Sequence, residues 1–367
     1  MPRLLFVTGT APDVAAGSGT YVGISVLREA LEGLGCVVDF VAPPSGGGPV
    51  SLVRRLYFNL SIRDLAKGLP PDAVVGFDWD GLWVESAGAP HIASIKGVIA
   101  DEASFERGLP RLRLKTEARL EKRHVRRADR ILATSEHSAS RIARVYGVPR
   151  ERIAVVPEPI DLARWRAALD SAETLPKARP SILCVAHLYP RKDVATLLEA
   201  LVRVPPEVVL RVVGTGPGLP GLRKRTAQLA LGDRVEFLEH VPFARLAAEY
   251  RRSDVFCLPS RQEGFGIVFL EAMATGLPIV AARAAAVPEV VADGECGVLV
   301  EPQNVEALAD ALRRLMASPE ERRRLGEAGR RRAERYDAQR VARRFLEAIG
   351  LEARAGTGPA PTVADSS

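Results

Sequence analysis

Two glutamates, Glu263 and Glu271, bracket a short glycine turn, Gly264-Phe265-Gly266, and the apolar stretch Ile267-Val268-Phe269-Leu270. Upstream, residues 254–260 read as a short buried strand; downstream, 267–275 reads as a helix stopped by Gly276 and Pro278. A strand, a glycine turn and a helix in that order aim free backbone N–H groups and a positive dipole end at whatever lies above the turn. An anion is the natural occupant, and the two carboxylates can accept hydrogen bonds from neutral hydroxyls beside it. A sugar attached to a nucleoside diphosphate offers both kinds of group.

Other residues suited to an anionic ligand lie at equivalent places in the chain. Arg191 and Lys192 follow the run Val185-Ala186-His187-Leu188-Tyr189-Pro190, where a strand gives way to a helix. There Arg offers a planar fork to a diphosphate and Lys a point charge. A solvated helix start is the plain alternative, but cations at that end oppose the helix dipole. Gly17-Ser18-Gly19-Thr20 follows the first strand and opens the first helix, so Gly19 can approach a phosphate and Thr20 can cap. Gly214, in Val213-Gly214-Thr215-Gly216-Pro217, either lines a nucleotide or only makes a tight turn. Asp78-Trp79-Asp80 has the spacing of a metal–diphosphate motif, yet acceptor contact or helix capping suits its position better. His137 begins a helix behind Ser135, either touching acceptor or phosphate or simply exposed behind a Ser135 cap.

The elements that must hold these residues alternate regularly. Strands are expected at 4–8, 37–41, 73–77, 91–95, 130–134 and 153–156, and again at 181–186, 208–213, 235–238, 255–258, 279–282 and 297–300. Helices are expected between them, notably at 21–32, 117–127, 194–202, 222–229, 246–252, 305–316 and 319–335. This is an α/β pattern of parallel sheets covered on both faces. At 367 residues it divides into two Rossmann-like, doubly wound domains facing a cleft, with ligands expected at the carboxyl ends of the strands. The expected boundaries are 1–166 for the first domain, 167–180 for a polar linker with two prolines, and 181–335 for the second domain. A helix at 336–350 then returns to the first domain, and 351–367 forms a disordered tail.

Composition narrows the classes. Hydrophobic residues at 47% and charged residues at 26% fit a soluble globular protein, and no apolar run has the length of a membrane span. The N-terminus reaches Thr8-Gly9 too soon for a signal-peptide core, so a cytoplasmic location is expected. Cys36, Cys184, Cys257 and Cys296 sit singly in apolar runs, with neither metal spacing nor a disulfide framework. A net charge of +6 suits anionic partners, but 5% aromatic content without basic–aromatic interleaving argues against nucleic acid. The basic segment 107–130, with Leu109, Leu112, Leu114 and Leu120 among its cations, is either a solvated helix face or a surface for an anionic membrane.

With these motifs in order, the chain from about 4 to 350 resembles the retaining glycosyltransferases of family 4, which have the GT-B architecture. The segment from Glu263 to Glu271 matches that family's E-x7-E motif. It is joined in register by Arg191-Lys192, Val213-Gly214-Thr215-Gly216-Pro217, Val235-Glu236-Phe237-Leu238, Thr275-Gly276-Leu277-Pro278, Val287-Pro288-Glu289-Val290-Val291 and Gly297-Val298-Leu299-Val300. The resemblance implies a nucleotide-sugar donor, a hydroxyl acceptor and metal-independent chemistry without a cofactor. It implies that Glu263 holds the transferred sugar and Glu271 the ribose. The backbone of Phe265, Gly266 and Ile267 would bind diphosphate and sugar, with Arg191 and Lys192 neutralising charge. Gly19 would close over the donor, and residues near Val241 would lie beside the base. The chain departs from the family pattern at Ala186-His187 (Gly-Arg in many members), Lys96-Gly97 (His-Gly) and Glu158-Pro159-Ile160-Asp161 (Asn-Gly-Val-Asp). Lys96, Asp78 and His137 are the acceptor-side candidates. A phosphorylase or sugar-nucleotide-modifying enzyme of the same architecture, and a non-catalytic nucleotide-sugar binder, are the alternatives.

Overall fold

The computed structural model describes residues 1–10, 19–43, 51–67, 70–86, 88–175 and 178–352. Gly17 and Ser18 of the first glycine turn and the tail from 353 onward lie outside the described residues. Two six-stranded parallel sheets carry the fold. The first runs β2(Val37–Val41), β1(Arg3–Val7), β3(Ala73–Phe77), β4(His91–Ile95), β5(Arg130–Ala133), β6(Ile153–Val155) across its width. The second runs β12(Gly297–Val300), β11(Ile279–Ala282), β10(Val255–Leu258), β7(Ser181–Val185), β8(Val209–Val213), β9(Val235–Glu239). All twelve expected strands form, with ends displaced by at most a residue, because each is a short apolar run covered by helices. Strands β3, β4, β10 and β11 are buried along their whole length.

In the first domain α1(Gly19–Gly33) covers the sheet, and α4(Gly108–Arg127) and α5(Glu136–Tyr146) flank β4 and β5. Thr20 lies inside the first turn of α1 rather than ahead of it, so it is not the cap expected from the sequence. Two helices of ten residues each were not expected. One is α2(Leu52–Ser61), which Ser51 caps by accepting from the Arg54 backbone N–H. Its apolar residues Val53, Tyr57 and Leu60 are exposed, Leu52, Leu56 and Phe58 are partly buried, and its fully buried residue is the polar Asn59, so its apolar positions form no single core-facing stripe. The other is α6(Leu162–Ser171), capped by Asp161, which overlaps the expected linker. Trp165 of α6 packs edge-on against Phe243 and Tyr250, so this helix belongs with the second domain's core.

The second domain adds α7(Val194–Leu201), α8(Leu219–Gln228), α9(Phe243–Arg252), α10(Ile267–Thr275), α11(Val287–Val290), α12(Val305–Ala317) and α13(Pro319–Ala333). The last helix, α14(Ala338–Ile349), packs on the first domain's core. Its Phe345 meets Phe6 of β1 at 5.9 Å, and its buried face is part of the core built from β1 and α1. The segment before α4 is a short helix, α3(Ile99–Glu102), continued by a 3-10 turn to Phe105.

Candidate functional site

The turn between β10 and α10 is built by two conflicting requirements. Its backbone must leave a buried strand and start a helix within a few residues, and Gly266 does so at φ 96°, a left-handed conformation that favours glycine. Gly266 brings no capping side chain, so the first N–H groups of α10 face the cleft uncapped. Glu263 stands beside this opening and receives Lys192 Nζ at 2.6 Å, with both side chains largely shielded. Glu271, a turn into α10, accepts from the Tyr250 hydroxyl at 2.8 Å. Burial raises its carboxyl to about 7, against the lowering effect of that hydrogen bond. Phe265 is buried edge-on against Tyr336 at 5.4 Å, which fixes the turn from behind.

The two domains touch at this turn. The Gly264 carbonyl lies within hydrogen-bond reach of three hydroxyls from the first domain: Thr134 at 3.0 Å, Ser135 at 2.9 Å and Ser138 at 3.1 Å. A Cβ on Gly264 would stand 2.4 Å from the Lys96 carbonyl oxygen, so only glycine permits this approach. Ser135 also caps α5, as the sequence suggested. The Glu289 carboxylate of α11 accepts from the backbone N–H groups of Glu136 and His137 at 2.8 and 2.6 Å, opposite the α5 dipole. His137 therefore contributes its backbone to the domain contact. Its ring is lowered in pKa, chiefly by burial. On another side of the cleft, Gly23 of α1 faces Ile267 of α10, whose Cδ1 lies 3.1 Å from the place of a Cβ on Gly23. Gly19 begins α1, and no described residue lies within 4 Å of where a Cβ on it would stand.

Arg191 and Lys192, adjacent in sequence, diverge in space. Lys192 turns to Glu263, whereas Arg191 reaches Glu102 of α3 at 3.1 Å across the cleft and lies over the Tyr189 ring. The Arg191 Nε is buried and has no hydrogen-bond partner among the described residues. Next to it, Arg261 lies over Phe105 of the first domain. His187 is held toward its neutral form by burial and by Arg191 and Lys192. Gly214, at φ 131°, is required by the chain itself: its Cβ would meet the Ala186 carbonyl oxygen at 1.9 Å. Val241 is half-buried on the loop after β9, packed on the second domain's core.

Lys96, immediately after β4, has Nζ 3.0 Å from Glu158 Oε2, with both side chains buried, and lies over the Phe77 ring. The same Glu158 oxygen is 2.3 Å from the place of a Cβ on Gly23, so the pair stands where β4, α1 and the start of α10 converge. Asp78 accepts from the Lys96 backbone N–H at 3.0 Å, and its enclosure raises its carboxyl to about 6. Asp80 is fully buried and saturated by Gly9 N, by Arg55 and by Asn59 Nδ2. Within the Asp78-Trp79-Asp80 segment, Asp80 thus serves the domain interior. Among the described residues, no group of three or more metal-ligating side chains is gathered anywhere.

Sequence reasoning did not find Glu102, Glu158, Tyr250, Thr134 or the partnership of Glu289 with α5. Only Glu289 and Glu158 carried a signal, since each stood in a segment compared with the family. The arrangement as a whole offers an anion-accepting helix start with a cation beside it. Two carboxylates flank that start, and a second domain closes directly over it.

The family described as glycosyl transferases group 1 matches residues 166–332, and glycosyltransferase family 4 matches residues 18–164. The GDP-mannose-dependent alpha-(1-6)-phosphatidylinositol monomannoside mannosyltransferase of Mycolicibacterium smegmatis is 34% identical over 218 residues, covering 55% of this chain and 57% of that protein. The D-inositol 3-phosphate glycosyltransferase of Segniliparus rotundus is 32% identical over 276 residues, covering 72% of this chain and 60% of that one. The matches thus span little more than half the length of these curated relatives. Among solved structures, the sucrose-phosphate synthase of Thermosynechococcus elongatus superposes with a TM-score of 0.80 at 22% identity, covering 97% of this chain and all of that one. The Anabaena protein HepE, solved with UDP and glucose, gives 0.75 at 19%, covering 95% and 100%. At such identities the likeness is one of fold, and that fold is GT-B. The two family matches, which together run from residue 18 to 332, and the paired sheets agree: the chain belongs to glycosyltransferase family 4.

Proposed function

We propose that the protein is a retaining hexosyltransferase that moves a sugar from a UDP- or GDP-sugar to an acceptor hydroxyl, without a metal. The observation that carries this reading is the Lys192–Glu263 pair at the uncapped start of α10, with Glu271 further along the same helix. In this mechanism the bond from the anomeric carbon to the β-phosphate oxygen breaks while the acceptor oxygen bonds to that carbon from the same face. The acceptor's proton passes to the departing phosphate. Negative charge grows on that phosphate, where Lys192, Arg191 and the N–H groups of Phe265, Gly266 and Ile267 stabilise it more than they stabilise the bound donor. Glu263 orients the transferred sugar and Glu271 accepts from the ribose. Gly214 and Val241 border the base, and Gly19 closes from the first domain. Lys96, Asp78 and His137 belong to the acceptor wall.

The name of one similar protein, dependent on GDP-mannose, supports a hexosyl donor. We place the protein in the cytoplasm, with segment 107–130 facing an anionic membrane surface. A thermal-shift panel of UDP-, GDP-, ADP- and dTDP-sugars identifies the donor, because a bound donor raises stability by mass action. Product analysis by NMR then tests the chemistry. Retained anomeric configuration, unaffected by a chelator, is expected; an inverted product overturns the reading.

A further inference from the structure

Exposed apolar side chains are unevenly spread over this molecule. Among the described residues the exposed large hydrophobics are Met1, Val37, Val202 and six that fall on α2, the turn after it, and the first turns of α4. On α2 Val53, Tyr57 and Leu60 recur at helical spacing on one stripe, exposed by 74%, 75% and 57%. The opposite side of α2 carries Arg55 and Asn59 into the buried Asp80 network, so the stripe is held facing outward. Leu109 and Leu112 open α4, exposed by 82% and 60%. Arg55 lies 3.8 Å from Glu117, which also binds Arg113, so the two helices are bridged.

The charge on α4 is ordered as well. Arg111, Lys115, Arg119 and Arg123 follow one another at four-residue intervals, all exposed, forming a single cationic row along the helix. Like charges so spaced repel and weaken a helix. The acids of its buried face, Glu117 and Glu121, turn the other way. A row about 18 Å long, flanked by apolar side chains, complements a flat anionic surface with an apolar layer beneath it.

We propose that α2 and α4 together form a docking face for an anionic lipid bilayer, with the cationic row on the headgroups and the apolar residues in the interface. The proposal rests on the membrane reading of segment 107–130 and adds α2 to it. The attachment is peripheral, since no described helix is long and apolar enough to cross a membrane. The face adjoins the cleft: α4 follows directly on the segment whose Glu102 and Phe105 touch Arg191 and Arg261. Docking therefore brings the mouth of the acceptor domain to the lipid surface. Nucleic acid fits the row but not its apolar flank.

Co-sedimentation of the full chain with phosphatidylcholine vesicles, with and without phosphatidylglycerol, tests this. Binding is expected only with the anionic lipid, falling as salt rises. Two double variants, Lys115→Glu with Arg119→Glu and Val53→Asp with Tyr57→Asp, each weaken partitioning at least about tenfold. Melting temperature and nucleotide binding, which report folding and the donor site separately, stay unchanged in both. Absence of binding to anionic vesicles at low salt overturns the proposal. So does vesicle binding that the Val53/Tyr57 variant leaves intact, especially alongside DNA or RNA binding that only the charge reversal removes. Self-association abolished by the Val53/Tyr57 variant would reassign the face to a second copy of the chain.

Discussion

Glu102→Gln is expected to tighten nucleotide binding, an unusual sign for a substitution in a ligand cleft. Arg191 Nη2 stands 3.1 Å from Glu102 Oε1, with the two side chains 15% and 25% exposed. The carboxylate is held there from its own domain. Ile99 N at the start of α3 donates to Glu121 at 3.0 Å, and the neighbouring Asp101 is gripped by Arg141. A donor diphosphate that uses Arg191 must compete with this carboxylate and also sits near its charge. A partly exposed pair of this kind is worth about 1 kcal/mol, so neutralising Glu102 lowers the Kd for the nucleoside diphosphate about fivefold. Calorimetric titration of wild type, Glu102→Gln, Arg191→Ala and the double variant forms the cycle. The gain is expected with Arg191 present and absent without it. Weaker or unchanged binding in Glu102→Gln, or an equal gain on the Arg191→Ala background, refutes the idea that the two anions exchange on one guanidinium.

Three further substitutions probe the turn itself. Lys192→Ala removes the cation beside Glu263 and is expected to lower kcat about a hundredfold, the scale of losing one oxyanion partner, in an initial-rate assay on the identified donor. Glu271, raised to about 7 by burial, gains charge between pH 6 and 8; nucleotide-sugar affinity, whose diphosphate charge is constant there, should rise over that range and become flat in Glu271→Gln. The same shift acts on stability with the opposite sense. The folded carboxyl keeps a proton that the unfolded one has released, so Glu271's contribution declines as pH rises from about 4.5 to 7 in wild type. Gly264→Ala forces the Lys96 carbonyl away and is expected to reduce kcat at least about tenfold while calorimetry finds nucleotide affinity unchanged, because closure is impaired but the donor wall is intact.

How far the fold could be read from the sequence follows from what is local. Every strand was legible because a short apolar run between turn residues is a local pattern, and Gly266 and Gly276 announced the turn and the helix end. Helix α2 was not legible, since Val53, Tyr57 and Leu60 face outward and its inward contacts combine Phe58 with Arg55 and Asn59, which bind a distant aspartate. Helix α6 was hidden by its own position, being polar enough to pass for a linker while its Trp165 reaches the second core. The segment from Glu263 to Glu271 was read as a unit because β10, its turn and α10 are continuous in sequence. Its partners were not, because Gly264 and Thr134, like Arg191 and Glu102, are far apart in sequence and meet only in the folded chain.

Two of the places where the chain departs from the family pattern, at Lys96 and at Glu158, meet in the fold. Lys96 and Glu158 each looked like an isolated oddity, 62 positions apart. In the fold they are one buried ion pair, so each makes the other tolerable: either alone would leave an unpaired charge in the wall of the cleft. Removing one partner of such a pair typically costs about 3–5 kcal/mol, whereas replacing both with neutral groups of similar shape costs far less. Lys96→Met and Glu158→Gln are therefore each expected to lower the melting temperature sharply, and the double variant to recover most of the loss. If the double variant recovered stability without activity, the pair would be part of the acceptor site. Recovery of both would make it scaffold alone, and the acceptor would then have to be held by residues nearer Asp78 and α5.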